Sequence, residues 1–239
     1  MMTETVRPSQ RALASAALHR AAWFAACRPD TIDRLLKEGT IRLLQRGEVL
    51  CRQGQPVEHL CLIVDGTLEV SVTAEAGKRH LVRHLEPGQL MNLIPVLDEQ
   101  GAIHDSVAHV DTLVLLFNKA LIHDVLDTEP GFARAVMRLL CLRSRTMYLD
   151  LADNSLLTLR QRCARTLLYL VGPWGMPRPE GVAISLKLSQ DEFADMVGRS
   201  RPVVNRELKS LEREGIIRTT YSHFVILDLA ALERVVEQQ

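Results

Sequence analysis

The chain has 239 residues, 29 basic and 29 acidic, so its formal net charge is zero; 47% of it is hydrophobic and 24% charged. That length can bury a real core in one large domain or two modest ones, and neutrality excludes a whole-chain pull toward nucleic acid or anionic membrane, so any such attraction has to be local. No apolar stretch reaches the length of a membrane span and no apolar signal core opens the chain, which points to a cytoplasmic protein without a membrane partner.

Residues 1–40 read as a polar start followed by short helices ("HRAAWFAACRPDTIDRLLKEG"). From 41 to about 117 the texture changes to short β runs punctuated by Gly47, Gly54, Gly66, Gly77 and Gly88. Runs such as "HLCLIV", "TLEVSV" and "HLVRHL" tend toward apolar–polar alternation, and a turn roughly every ten residues predicts a small all-β barrel or roll. The five cysteines (Cys27, Cys51, Cys61, Cys141, Cys163) lie far apart without a C-x-x-C pair. That spacing writes neither a zinc site nor a disulfide framework and predicts reduced, buried thiols.

From about 118 the pattern turns helical. Gly131 to about Asp153 runs without a breaker, and Phe132, Val136, Leu139, Leu140, Met147 and Leu151 recur at mostly three- or four-residue steps. A lone helix of that length is marginal in water, so its stripe needs a partner: the β domain, a second copy of the helix, or both. "VGPWGMPRPEG" (171–181) holds three prolines and three glycines and predicts a loop. Next, Ser189 with Glu192 three residues on predicts a capping box; Phe193, Met196 and Val197 form the apolar face, and Gly198 ends that helix. A second helix, a hairpin ("IIRTTYSHFVILD") and a short final helix ("LAALERVVEQ") follow.

The second of these helices, in "GRSRPVVNRELKSLEREG" (198–215), has two unlike faces. At 100° per residue, Val204, Leu208 and Leu211 share one stripe. Pro202, Arg206, Lys209 and Arg213 cluster at the opposite pole with Asn205 at its edge, and Gly198–Lys209 carries four basic residues and one acid. With Ser200 as N-cap, Arg201 is the first helical residue and Pro202 the second, where a missing N–H costs little; Ser200 then has to cap through the Val203 N–H. A capped helix, a glycine turn and a second helix with a basic front form a helix-turn-helix. Arginine suits guanine, and asparagine suits adenine or a phosphate. Ser189, Gln190 and Ser200 lie near helix N-termini, where phosphates bind. Arg201, Asn205, Arg206 and Lys209 complete the expected DNA surface. The hairpin, with Arg218, Thr219, Thr220, Tyr221, Ser222 and His223, would be a wing beside the backbone. Nucleophile–base spacings, phosphate-cradling glycine loops and metal clusters are missing from the sequence, so an enzyme is not expected.

Over most of its length the sequence resembles the Crp/Fnr superfamily of bacterial transcription regulators. "GEVLCRQGQPVEHLCLIVDGTLEV" is similar to the start of that family's cyclic-nucleotide-binding roll, and "LSQDEFADMVGRSRPVVNRELKSLEREGIIR" to its winged helix-turn-helix. The resemblance implies an α+β fold: an effector-sensing β-roll over 20–130, a long dimerisation helix over 131–155, and a winged helix-turn-helix over 156–239. It further implies a homodimer on a palindromic DNA site, with RNA polymerase as a further partner if the protein activates, and base contacts from Arg201, Pro202, Asn205 and Arg206.

Two departures stand out. Cyclic-AMP-binding members have a glycine and a glutamate after the "PG" turn and an arginine–serine pair some ten residues on. Here, by match, Asn92 and Leu93 stand at the first pair; at the second the arginine position falls on Asp105 or Ile103, with Ser106 retained. Leucine cannot accept a ribose hydroxyl, and a carboxylate at Asp105 would repel a phosphate. Cyclic AMP is therefore not expected as effector. Pro202 replaces a glutamate that reads cytosine in many members, so the half-site should differ. The expected effector pocket comprises Gly88, Asn92, Leu93, Ile94, Asp105 and Ser106 with Met147 and Tyr148 from the long helix. Its content stays open between an apolar or aromatic small molecule and no ligand at all; haem, which relatives bind through a roll histidine and for which His80, His84, His104 and His109 are in range, is not expected, and no cofactor is. The alternatives are a cyclic-nucleotide- or haem-responsive member of the same architecture and, from another class, a cyclic-nucleotide-binding regulatory subunit; the C-terminal winged helix and the missing phosphate arginine speak against the latter.

Overall fold

The computed structural model describes residues 7–74, 77, 79–220 and 222–237. The chain divides into two units, one ending at Ser144 and one beginning at Arg145.

The first unit opens with helices α1 (Pro8–Arg20) and α2 (Pro29–Glu38). One sheet, in the order β1-β8-β3-β6, is built from β1 (Thr40–Leu44), β3 (His59–Asp65), β6 (Leu90–Met91) and β8 (Thr112–Asn118). The other, β2-β7-β4-β5, is built from β2 (Val49–Cys51), β4 (Leu68–Thr73), β5 (Arg79–Leu85) and β7 (Asp105–Ala108). All pairings are antiparallel, as the expected roll requires. The central strands β3, where alternation was expected, and β8 are apolar almost end to end, because both of their faces are covered. Leu60, Leu62, Leu113, Leu115 and Phe117 face a helical cluster, while Cys61, Ile63, Val114 and Leu116 face Leu68, Val70 and Leu85 inside the roll. At the β3–β4 turn Gly66 has φ +86, and a Cβ there would stand 2.5 Å from the Asp111 carbonyl, so no side chain fits.

The helical cluster includes α4 (Lys119–Thr128) and the start of α5 (Pro130–Leu156). Phe24 stacks on Phe132 at 5.1 Å and meets Phe117 at 5.7 Å. Helix α1 belongs to this core: Ala14, Ala17 and Leu18 are fully buried, so the fold reaches back to residue 8 and not only to residue 20. A short α3 (Leu93–Asp98), unexpected from sequence, follows β6. All five cysteines are free thiols; burial, expected of all, holds for Cys61 and Cys163, while Cys27 and Cys51 are half-buried and Cys141 is exposed on α5. α5 spans 27 residues, within a residue or so of the expected long helix.

The second unit contains α6 (Leu159–Trp174), β9 (Gly175–Arg178), β10 (Gly181–Ile184), α7 (Gln190–Val197), α8 (Arg201–Arg213), β11 (Ile217–Thr220), β12 (His223–Ile226) and α9 (Leu229–Glu237). The segment 171–181 is not the loop its prolines suggested. It finishes α6 and begins a hairpin that extends the wing sheet, in the order β11-β12-β10-β9. Pro177 pairs with Val182 on β9, an edge strand, where the missing N–H costs no ladder bond. Phe193, Val204, Leu208, Leu211, Phe224 and Ile226 share one core with Leu167 and Leu170 of α6.

Candidate nucleic-acid interface and effector pocket

Local rules set the helix-turn-helix. The Ser189 hydroxyl accepts the Glu192 N–H at 3.1 Å, and the Glu192 carboxylate accepts the Ser189 N–H at 2.6 Å. Gly198, at φ 71, ends α7 and donates to Ala194 and Asp195. The turn occupies 198–200, and Pro202 sits in the first turn of α8. Val204, Leu208 and Leu211 are the buried face of α8. Ser200 departs from expectation. Its carbonyl, not its hydroxyl, accepts the Val203 and Val204 N–H groups, each at 3.1 Å, and the hydroxyl makes no cap bond.

The expected DNA-contacting residues fall into two groups. Ser189, Ser200, Arg201, Pro202, Arg206 and Lys209 are exposed. Gln190 and Asn205 are half-buried and tied together: Asn205 Nδ2 donates to Gln190 Oε1 at 2.8 Å, and Arg201 reaches Asp191 at 3.1 Å. Asn205 is thus a brace between α7 and α8. Arg206 and Lys209 make no ion pair among the described residues, so their charge is available to a ligand.

Sequence reading missed what holds this pair of helices. The buried Arg162 of α6 donates to the Val197 carbonyl at the end of α7, and burial lowers its pKa. Glu212 near the end of α8 accepts the Thr219 N–H at 2.6 Å and the Thr219 hydroxyl at 2.7 Å, pinning α8 to the wing. Neither contact follows a short sequence spacing rule. In the wing, Arg218 pairs with Glu180 at 3.0 Å and Ser222 takes φ 75 at the tip; Tyr221 lies outside the described residues.

The expected effector pocket is rearranged. Ser106 lies on the inner face of β7, 3.2 Å from Cys51 Sγ, and Asn92 Oδ1 accepts from the same thiol at 3.5 Å. Asn92 adopts φ 67, a left-handed conformation that asparagine tolerates. Gly88 presents its carbonyl to Trp23 Nε1 at 2.9 Å. Asp105 is a correction. Successive strand residues face opposite ways, so its carboxylate turns from Ser106 to accept the Gln53 N–H at 2.9 Å and the Thr73 hydroxyl at 3.1 Å. Leu93 is a second: it is 1% exposed and packs into the helical core. Ile94 is exposed, and so are Met147 and Tyr148, which belong to the second unit.

No arginine stands on β7, and two cations that lie far apart in sequence come close to His104 just before it. Arg83 pairs with Val70, which also pairs with Ser106, so Arg83 shares the inner face. Arg143 of α5 donates to the Leu90 carbonyl at 2.5 Å. Burial and the nearby Arg83 lower Arg143 to about 10, and burial with both guanidiniums lowers His104. This mutual repulsion marks a desolvated region of positive potential.

Comparison with known proteins matches this architecture. A model of the cyclic nucleotide-binding domain matches residues 41–129, and a model of the Crp-like helix-turn-helix domain matches 161–235. The chain is 24% identical over 217 residues to a CRP-like cAMP-activated global transcriptional regulator of Mycobacterium tuberculosis, covering 91% of this chain and 97% of that one. It is 27% identical over 212 residues to the cyclic AMP receptor protein of Thermus thermophilus, covering 89% and 95%. Among solved structures, the c-di-GMP responsive global regulator CLP of Xanthomonas campestris has the same fold, with a TM-score of 0.73 at 19% identity over 83% of this chain and 99% of that one. With the roll, the long helix and the winged helix-turn-helix in the order these matches share, the chain belongs to the Crp/Fnr family of DNA-binding transcription regulators, which are not enzymes.

Proposed function

We propose that this protein is a cytoplasmic, homodimeric transcription regulator that places two copies of α8 in successive major grooves of a palindromic operator. The carrying observation is the outer face of α5. Met137, Cys141, Ser144, Tyr148, Leu151 and Ser155 follow at steps of four, three, four, three and four residues, the spacing of a coiled-coil seam. Leu142, Leu149 and Leu156 flank it at steps of seven. Tyr148 is 68% exposed and Leu151 65% exposed in the single chain. A row of large apolar groups is not left in water without a use, and a symmetry-related α5 covers it with its own seam. Sedimentation velocity tests this: the protein should run as a dimer and Leu151→Glu as a monomer with weakened operator binding. A monomeric wild type would overturn the reading.

The effector of this reading is not cyclic AMP. Leu93, held in the core, supports that, because it offers no acceptor for a ribose hydroxyl. Asp105 no longer does, since its carboxylate faces away. Arg83 and Arg143 favour an anionic effector of another shape. An activator of this kind would also touch RNA polymerase. Calorimetry should give no saturable cyclic AMP signal at millimolar concentration, and a micromolar isotherm would refute this part of the reading.

A further inference from the structure

Glu69 and His84 are direct partners in the β4–β5 ladder, so their side chains share one face of the sheet. That face is the outer one, because Val70 and Leu68 point into the roll. His109, just beyond β7, is brought over the same spot by its N–H bond to the Thr67 carbonyl at 2.9 Å. The three side chains then converge. One donor atom from each lies within 4.8 Å of the others, and the His84 and His109 rings meet edge to face at 4.7 Å. His109 Nδ1 is already 3.8 Å from a Glu69 oxygen. Glu69 and His84 are both buried, His84 to 1% exposure.

We propose that Glu69, His84 and His109 form a binding site for a divalent transition metal of the zinc class, separate from the effector pocket and from the DNA-binding surface. Two imidazoles and one carboxylate are a donor set that zinc accepts, with water as fourth ligand. A tetrahedral zinc holds its donors about 3.4 Å apart, from metal–ligand bonds of about 2.0–2.1 Å. The triad therefore has to close by roughly an ångström, which side-chain rotation supplies. Arg79 now pairs with Glu69. It also donates to Ser71 Oγ at 3.1 Å and is partly exposed, so it can keep the serine and yield the carboxylate to the metal. The occupied site would clamp β4, β5 and the segment after β7. Its centre lies beside Val107, the neighbour of Ser106, so metal would stiffen the strand that carries the inner wall of the pocket.

The test uses the full chain, stripped with chelator and titrated with Zn2+ and, as a spectroscopic probe, Co2+. One zinc per chain is expected, with a raised melting temperature and visible Co2+ bands of four-coordinate intensity. Glu69→Gln keeps the side-chain shape; it should fold and bind at least tenfold more weakly. His109→Ala provides a second variant, with the same loss expected. Equal affinity of both variants and wild type, absence of visible bands at millimolar Co2+, or near-ultraviolet bands of cysteine thiolate ligation would each overturn the assignment.

Discussion

Arg206 offers the sharpest test of the DNA-binding face. It is exposed on α8, on the side away from Val204, Leu208 and Leu211, and has no ion-pair partner among the described residues. Replacing it by alanine therefore breaks no intramolecular contact, and the stability of the second unit should change by no more than about 0.5 kcal/mol. If Arg206 reads a base, the loss on the specific operator should be about 1–3 kcal/mol per half-site, or roughly 5- to 150-fold in Kd. A homodimer loses it twice, about 2–6 kcal/mol in all. Fluorescence anisotropy on operator and on random DNA, at several salt concentrations, separates the roles. A base contact lowers operator affinity, leaves random-sequence affinity nearly unchanged and relaxes preference at one base pair. A phosphate contact lowers both alike and reduces the salt slope by about 0.9 per half-site. Equal losses on the two DNAs would refute base reading, and no loss on either would remove Arg206 from the interface.

Leu93→Glu, the substitution that would restore a carboxylate by sequence match, should not create a ribose site. It puts a charge into the core cluster of the first unit at a cost of several kcal/mol, to be seen as a large fall in melting temperature; a stable variant that binds cyclic AMP would contradict the placement of Leu93. Glu129 gives a pH test. Its buried carboxylate accepts from Thr31 and Arg28, and these bonds hold its pKa below the usual value of 4.5. The unfolded chain then takes up the proton first, so the stabilisation is present above about pH 4.5 and fades as pH falls through the lowered value. Melting curves of wild type should drop more steeply below pH 4.5 than those of Glu129→Gln, and parallel curves would refute the assignment.

Local chemistry made much of the protein legible in sequence. Ser189 with Glu192, Gly198 and Pro202 fixed the ends of α7 and α8, because capping and proline placement depend only on neighbours along the chain. The same holds for the roll, whose turns the glycines mark, and for α5, whose stripe needs only helical period. The loop at 171–181 was misread because proline forbids only the interior of a sheet. Whether β9 is an edge depends on what pairs beside it. The effector pocket was misread for a related reason. Asp105 and Ser106 are adjacent in sequence and face opposite ways, while Arg83 and Arg143 are sixty residues apart and come close enough that the Arg83 charge lowers the Arg143 pKa. Strand register and helix packing decide which charges meet, and no spacing rule carries that information. The sequence by itself determined the order of elements and the basic face of α8. Only the tertiary structure decided that Arg162 and Glu212 would brace that face, that Arg83 and Arg143 would come close to His104, and that Glu69, His84 and His109 would converge from three separate segments.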